Sequence, residues 1–412
     1  MTDAGIVIVG AGQAGYQLAS SLRDAGYLSQ ILLIGDEVEP PYQRPPLSKA
    51  FLSGAVEADA VTFQKPDHYE ARNIDLLLGT RVSRIDRSAK QVHTESGDVV
   101  AYDRLVLATG AANRSLPGTE GLGGVFGIRT LGDARAIRER LAVARNVVVV
   151  GGGFLGLEFA AVARAKGVSV TVIEAAERLM ARAISPVVSE AFRQHHLGLG
   201  TELCLATPVK GLLSQDGQVS GVELGDGTVL PVDLVVVSIG VIPNVELARQ
   251  AGLACENGIV IDESLATSDP DVFSLGDCAV YPSRFAHVPS RLESIQNAVD
   301  QARHLALTLT RGASAYDAVP WFWSDQGGAK LQIAGLAQGV TEAVVRGDQA
   351  GLKFSVYCFR GDRLVAVESI NRPADHMAAR RLLAAGVAVL PSQAADIEFD
   401  LKSLVPAPQQ AA

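Results

Sequence analysis

The same device is written twice in this chain, as IVIVGAGQAGYQLA at residues 6–19 and VVVVGGGFLGLEFA at residues 147–160. Each begins with a short continuous apolar run, as in a parallel strand covered on both faces, and passes through a glycine-spaced turn into helix-forming residues. In the first copy Gly10, Gly12 and Gly15 supply G-x-G-x-x-G. The first glycine permits the sharp turn, the second lets backbone approach a pyrophosphate, and the third lets helix pack on strand. Gly151, Gly153 and Gly156 repeat the spacing in the second copy. A helix starting at such a turn, predicted at Tyr16–Ala25 in the first copy, aims its N-terminal amides at phosphate.

Each turn is followed by the acid that its chemistry needs. A second strand, predicted at Gln30–Ile34, leads to Asp36, 21 positions beyond Gly15, near the offset of a carboxylate that holds an adenosine ribose. The second copy has a strand predicted at Ser169–Ile173 and Glu174 at its end. A carboxylate there repels a 2′-phosphate and so favours NADH over NADPH, with Arg178 nearby as the counter-argument. The duplication runs on. Arg84–Val100 and Lys210–Leu230 both alternate around glycine turns, and LVLATG (residues 105–110) and LVVVSIG (residues 234–240) follow them as strands ending in glycine. Two such folds can hold two different dinucleotides, and the natural pair is a nicotinamide donor and a flavin acceptor.

Composition sets the outer bounds. A chain of 412 residues, 48% hydrophobic and 20% charged, has material for two or three well-buried cores. Its net charge of −9 argues against general nucleic-acid affinity, which needs a basic surface. Cys204, Cys255, Cys278 and Cys358 are far apart and form no CxxC, so neither a disulfide framework nor an iron–sulfur or zinc site is expected. A strand begins within a few residues of the N-terminus, leaving no room for a targeting segment, and no apolar run approaches the ~20 residues of a membrane span. A cytoplasmic protein is expected.

Five further stretches narrow the reading: PPYQRPPLSKAFLSG (residues 40–54), LATGAANR (107–114), FSLGDCA (273–279), RLESIQNAVDQAR (291–303) and PWFWSDQ (320–326). With the two turns, they make the whole chain resemble the FAD-dependent NADH:ferredoxin reductase family of the putidaredoxin reductase type. The resemblance implies an α/β fold with two Rossmann-like domains and a C-terminal α+β domain. The FAD domain would be discontinuous (1–112 and 243–317), the NAD domain inserted (113–242), and the third domain would take 318–412. It implies FAD contacts at Gly10, Gly12, Gly15, Asp36, Arg44, Lys49, Asp277 and Arg129, with backbone from Ala11, Val82 and Ala108, and Glu293 and Gln296 near the isoalloxazine. It implies NADH contacts at Gly151, Gly153, Leu155, Gly156, Glu158, Glu174 and Gly240.

The same resemblance names Lys49, Glu158 and Trp323 as candidate catalytic residues. Pro45 and Pro46 stiffen the loop before Lys49, and a cation beside an isoalloxazine stabilises the negative charge that hydride transfer leaves on it. The family pattern pairs that lysine with Glu158 beside the nicotinamide. Trp323 is expected near the flavin or over the nicotinamide pocket, and Trp321 in the core of the third domain. The 40–54 region has no cysteine, which removes dithiol chemistry, and Cys278 reads as a small buried residue. His195 and His196 read as a surface pair at a helix end.

From about Ala318 the pattern becomes antiparallel strands joined by glycine turns, then a helix predicted at Ala374–Ala385, then a tail, PAPQQAA, expected to be disordered. Ferredoxins are usually acidic, so a basic docking patch is sought, with Lys330 the leading candidate and Arg311 and Arg303 next. The function implied is transfer of electrons from NADH through FAD, one at a time, to a [2Fe–2S] ferredoxin that serves an oxygenase such as a cytochrome P450. A slow-turnover flavoprotein redox sensor resembling apoptosis-inducing factor and a rubredoxin reductase are the alternatives. Monomer and homodimer both remain open.

Overall fold

The computed structural model describes residues 5–286 and 288–405, and packing divides the chain into two units. The first gathers Met1–Arg44, Glu57–Ala112 and Val241–Ala318; the second gathers Pro45–Val56, Asn113–Gly240 and Val319–Ala412. The tail PAPQQAA, residues 406–412, lies outside the described residues. Among the described residues no helix is long and apolar enough to cross a membrane.

The first unit is built on a five-stranded parallel sheet in the order Val272–Ser274, Arg104–Leu107, Ile6–Val9, Ile31–Ile34, Ile74–Leu77. The apolar run at its centre is explained by its two faces. Ile6 and Ile8 pack with Leu18, Leu22, Ala302 and Leu305 from the helices Gln13–Asp24 and Ile295–Arg311. Val7 and Val9 point the other way, into a core with Ile85 and Val92 from the antiparallel meander Val82–Asp86, Gln91–Thr94, Val99–Ala101. Side-chain alternation along a strand therefore needs apolar residues at every position here. The first helix starts at Gln13, three residues before the expected Tyr16, because Gly12 itself is the N-cap.

The second unit repeats the plan. Its parallel sheet runs Glu202–Cys204, Ser169–Ile173, Asn146–Val150, Leu234–Val237, Val125–Phe126, with a second antiparallel meander at Val209–Gln215, Gln218–Leu224 and Val229–Pro231. The same unit holds a five-stranded antiparallel sheet in the order Trp321–Gln326, Ala329–Gly335, Arg363–Ile370, Lys353–Arg360, Glu342–Asp348. The helix Pro373–Ala385 follows it, ending at Gly386 in the left-handed region.

Pro45–Val56 lies inside the span 1–112 that reads as flavin domain, yet it packs with the second unit. The Arg138 guanidinium sits 5.4 Å from the centre of the Phe51 ring, and Lys166 Nζ donates to the Ser53 carbonyl at 2.9 Å. The segment that carries Lys49 is thereby anchored on the helices Leu131–Leu141 and Phe154–Ala165.

Candidate functional site

The two glycine turns divide their labour in the same way. Gly10 stands at φ +115°, and a Cβ there would fall 2.1 Å from the Ala108 carbonyl oxygen; one on Gly15 would fall 2.0 Å from the Gly10 oxygen. Both glycines are required by the protein's own packing. A Cβ on Gly12 would meet nothing within 4 Å, and no side chain caps the helix that starts there. In the second unit, a Cβ on Gly151 (φ +109°) would fall 2.2 Å from the Ser238 oxygen and one on Gly156 would fall 2.4 Å from the Gly151 oxygen. Gly153 again faces open space and heads an uncapped helix, Phe154–Ala165, with Leu155 in its first turn. Orphan helix amides opening onto an uncovered glycine fit a dinucleotide pyrophosphate.

Around the first turn the chain converges from three places. Ala11 packs where a Cβ on Gly35 would stand, 2.6 Å away, so the strand end before Asp36 closes tightly on the turn. Gly276, at φ +78°, brings the Gly276–Asp277 turn against Ala14, where a Cβ would be 3.1 Å from the alanine methyl, and its amide donates to Gln301 Oε1 at 2.8 Å. Ala108 ends its strand against Gly10, and Val82 is buried in the meander core. Arg44 ion-pairs with Glu37 at 2.7 Å and lies 5.2 Å from the Tyr42 ring centre, while the Tyr42 hydroxyl donates to Glu37 at 2.5 Å. Burial works against the Arg44 charge, but Tyr42 and Glu37, with Asp277 beyond them, outweigh it and raise its pKa.

Other predicted residues face their own neighbours. Asp36 is exposed and pairs with Arg81 at 3.3 Å. Glu293 pairs with Arg291 at 2.8 Å, and Gln296 donates to Asp300 one turn along its helix at 2.8 Å.

In the second unit Glu174 turns back onto the glycine loop. Its Oε2 accepts from the Gly152 amide at 2.7 Å and its Oε1 from the Ala176 amide at 2.8 Å. Arg178 donates to the carbonyls of Ala181 and Ile184 at 2.6 and 2.8 Å, so its guanidinium closes a loop, which weakens the case for a 2′-phosphate. Gly240, at φ +97°, accepts from the Arg114 amide at 3.0 Å. The Arg129 amide donates to Asp133, in the capping turn of Leu131–Leu141.

Lys49 and Glu158 meet. Glu158 Oε2 accepts from Lys49 Nζ at 2.5 Å and Ser48 Oγ at 2.8 Å; Oε1 accepts from Ser324 Oγ at 2.7 Å and the Asp325 amide at 3.4 Å. The carboxylate is buried to 6% exposure and the lysine to 24%. Three segments, residues 48–49, the helix Phe154–Ala165 and the strand Trp321–Gln326, thus converge on one carboxylate. Ser48 and Ser324 are absent from the residues predicted from sequence. Ser324 could have been found from strand alternation: Trp323 keeps 36% exposure, so its neighbour must point inward. Trp321 is half-buried, 4.4 Å from the Arg380 guanidinium and 5.3 Å from His376.

The surface reading of the two histidines is corrected. His196 is completely buried, its Nε2 2.9 Å from Gln326 Oε1, and His195 Nε2 lies 2.8 Å from the Gln326 carbonyl. The hairpin tip explains it: Gly327, at φ +56°, sits so close to Leu199 that a Cβ would be 2.6 Å away, covering that end of the helix Pro186–Gly198. Of the docking candidates, Lys330 is exposed on Ala329–Gly335, and Arg303 and Arg311 are exposed on Ile295–Arg311. All four cysteines are free, and Cys278 is buried.

Comparison with known proteins follows this geometry along the chain. Residues 4–302 match the pyridine nucleotide-disulphide oxidoreductase family and residues 321–405 match a reductase C-terminal family. Rhodocoxin reductase of Rhodococcus erythropolis is 48% identical over 96% of this chain and 93% of its own length. A ferredoxin reductase for the CYP199A2 system of Rhodopseudomonas palustris superposes with a TM-score of 0.96 at 45% identity, over 98% of this chain and 100% of that one. The reductase in a covalent putidaredoxin reductase–putidaredoxin complex gives 0.94 at 40% identity, over 97% and 98% of the two chains. Two open glycine turns, a lysine–glutamate pair and relatives matched nearly end to end have one explanation: this chain belongs to the pyridine nucleotide-disulphide oxidoreductases, in the branch of FAD-dependent NADH:ferredoxin reductases.

Proposed function

We propose that this chain takes electrons from NADH through FAD and delivers them one at a time to a [2Fe–2S] ferredoxin that serves an oxygenase, a cytochrome P450 being the case that the CYP199A2-system relative brings forward. The observation that carries this reading is the repeated turn whose middle glycine, Gly12 and then Gly153, faces open space while its neighbours are packed. FAD, when bound, supplies the conversion of a two-electron donor into a one-electron source. Residues 1–112 and 243–317 would hold it, with Gly10, Gly12 and Gly15 around its pyrophosphate, Asp36 toward its ribose, and Arg44 and Asp277 along its length. Residues 113–242 would hold NADH, with Gly151, Gly153 and Gly156 at its pyrophosphate and Glu174 rejecting a 2′-phosphate.

Lys49 would hold positive charge at the flavin, and Glu158 would hold Lys49 in place and meet the nicotinamide. Trp323, exposed on its strand, would cover one of the two rings. The absence of cysteine between residues 40 and 54 favours electron exit to a partner protein over a dithiol. The exposure of Lys330, Arg303 and Arg311 suits an acidic partner, and four free cysteines suit a reducing, cytoplasmic setting.

Cytochrome c reduction by NADH, measured with and without added [2Fe–2S] ferredoxins and with rubredoxin, tests the reading. Turnover that depends on one ferredoxin supports it. Rapid flavin reduction followed by slow turnover with every carrier would favour a redox sensor, and dependence on rubredoxin would reassign the partner.

A further inference from the structure

Behind Glu158 runs a directed chain of hydrogen bonds. Ser324 Oγ donates its one proton to Glu158 Oε1 at 2.7 Å, so toward Gln326 it can only accept, and Gln326 Nε2 donates to it at 3.0 Å. Gln326 Oε1 faces His196 Nε2 at 2.9 Å. All three side chains behind the carboxylate are buried to 1% exposure or less. Among the described residues His196 Nδ1 has no partner, and burial pushes the imidazole down to about 4, so it is neutral near pH 7. A neutral imidazole carries one proton, and an unpaired buried donor is costlier and rarer than an unpaired acceptor. The proton is therefore on Nε2, donating to Gln326.

That proton sets the direction of what lies in front of it, aided by Met180 Sδ, a weak acceptor 3.6 Å from Gln326 Nε2. If the Gln326 amide flipped, its oxygen would face Ser324 and take the hydroxyl proton away from Glu158, while its NH2 would face His196. The flipped amide would force the imidazole proton onto unpartnered Nδ1 or leave two donors opposed. We propose that His196 and Gln326 are positioning residues for the Lys49–Glu158 pair: by fixing the amide they keep the Ser324 hydroxyl on Glu158 Oε1, so that Oε2 stays turned to Lys49. The helix Pro186–Gly198, otherwise a remote part of the nucleotide fold, thereby acts on hydride transfer. This rests on the role proposed for Lys49 and Glu158, and the experiment separates the two.

The measurement is the rate of flavin bleaching by NADH in the anaerobic holoenzyme, with the apparent NADH affinity from the same traces. His196→Phe keeps the ring volume and removes the donor, so only the weak Met180 contact opposes a flip of the amide; His196→Gln keeps a donor near the Nε2 position. The expected result is about a fivefold to tenfold slower limiting rate in His196→Phe with NADH affinity within about twofold of wild type, and recovery to within about twofold in His196→Gln. Gln326→Met leaves no amide oxygen to take the Ser324 proton, so adding it to His196→Phe is expected to bring the rate back to within about twofold of wild type, and His196→Leu stands in for His196→Phe if that variant does not fold. A wild-type rate in His196→Phe, equal slowing in His196→Phe and His196→Gln, or no recovery in the double variant with Gln326→Met would overturn the inference. Lys49→Met in parallel isolates the underlying reading: if it leaves the bleaching rate unchanged, the role of the pair fails; if it slows bleaching while His196→Phe does not, the relay alone fails.

Discussion

Lys49 Nζ lies 2.5 Å from Glu158 Oε2, and neither group is free in water: the carboxylate is 6% exposed and the ammonium 24%. An ion pair so placed is screened less than a surface pair and holds its geometry. Removing the lysine leaves a buried carboxylate supported by hydroxyls and one amide. Lys49→Met should slow flavin reduction by NADH about tenfold or more, the effect of losing one preorganised charge beside a developing negative charge. Rapid-mixing absorbance at the flavin band reads it directly. An unchanged rate would separate the pair from the chemistry.

The glycines make a sharper test of the cofactor sites, because packing and ligand binding make different demands on them. Gly10→Val places a branched side chain into the Ala108 carbonyl, 2.1 Å from the new Cβ, and should yield little folded protein. A Cβ on Gly12 meets nothing within 4 Å, so the circular dichroism and thermal transition of Gly12→Val as apoprotein should stay near those of wild-type apoprotein while FAD is lost, the affinity falling about a hundredfold or more from a clash with the pyrophosphate. Gly153→Val should keep FAD and raise the KM for NADH instead. Normal FAD content in Gly12→Val would mean that this turn does not hold the flavin nucleotide.

These glycines were legible in the sequence because their reasons are local. A turn of six residues carries its own strand, its own helix and the spacing between them. The five-stranded antiparallel sheet was legible for the same reason, from alternation and turn residues. Glu158 shows where such reading stops: its donors Ser48 and Ser324 are 110 and 166 positions away, and no local period connects them. His196 fails differently. Its helix end looked exposed because the hairpin tip that covers it, Gly327, belongs to a strand pair far along the chain. The two acids that follow the turns differ in their partners, which spacing along the chain does not report: Glu174 turns onto the glycine loop through the Gly152 amide, whereas Asp36 points outward to Arg81 and its neighbour Glu37 takes Arg44.

The proposed preference for NADH is tested at Glu174, beside which Arg178 is engaged elsewhere. The carboxylate sits on the second glycine turn, and the guanidinium is engaged with the Ala181 and Ile184 carbonyls. Glu174→Arg replaces repulsion of a 2′-phosphate with attraction. The ratio of kcat/KM for NADPH to that for NADH should rise about tenfold or more, at some loss with both nucleotides because the Gly152 amide loses its acceptor. Unchanged selectivity would refute the assignment.

Glu368 gives the fold a pH dependence of its own. It is completely buried on Arg363–Ile370, accepting from the Ser185 amide at 2.8 Å and from the Ser185 hydroxyl at 2.5 Å at the start of the helix Pro186–Gly198. Burial pushes its pKa up to about 7, against the Ser185 hydrogen bonds and nearby Arg178, which pull it down. In an unfolded chain it would titrate near 4.3, so between about 4.3 and 7 the folded state binds the extra proton. Its contribution to stability is therefore complete below that range and is lost as pH rises through about 7. Glu368→Gln does not titrate, so its stability relative to wild type should improve by on the order of 2 kcal/mol between about pH 5 and pH 8. Buried His196 and His376, both pushed down to about 4, act in the opposite sense but are common to both proteins and cancel in the difference. Denaturant melts across that range check it, and a pH-independent difference would mean that folding does not raise the Glu368 pKa above its unfolded value.

Partner docking is tested at Lys330. In the antiparallel ladder Lys330 is opposite Asp325, and Trp323 is opposite Gln332. Residues two apart on a strand share a face, as do cross-strand pairs, so Lys330 is on the same face as the exposed Trp323. A cation there would attract an acidic ferredoxin mainly by steering its approach, an effect that salt weakens. Lys330→Ala should raise the KM for ferredoxin about threefold at low ionic strength, with the difference shrinking as salt is added, and leave the KM for ferricyanide unchanged. Arg303→Ala and Arg311→Ala, on the exposed side of Ile295–Arg311, are measured alongside. A residue whose loss affects ferredoxin and ferricyanide equally acts on the flavin's supply of electrons and is not part of the docking surface. If Lys330→Ala alone shows the selective, salt-sensitive loss, the ferredoxin approaches the face that also presents Trp323.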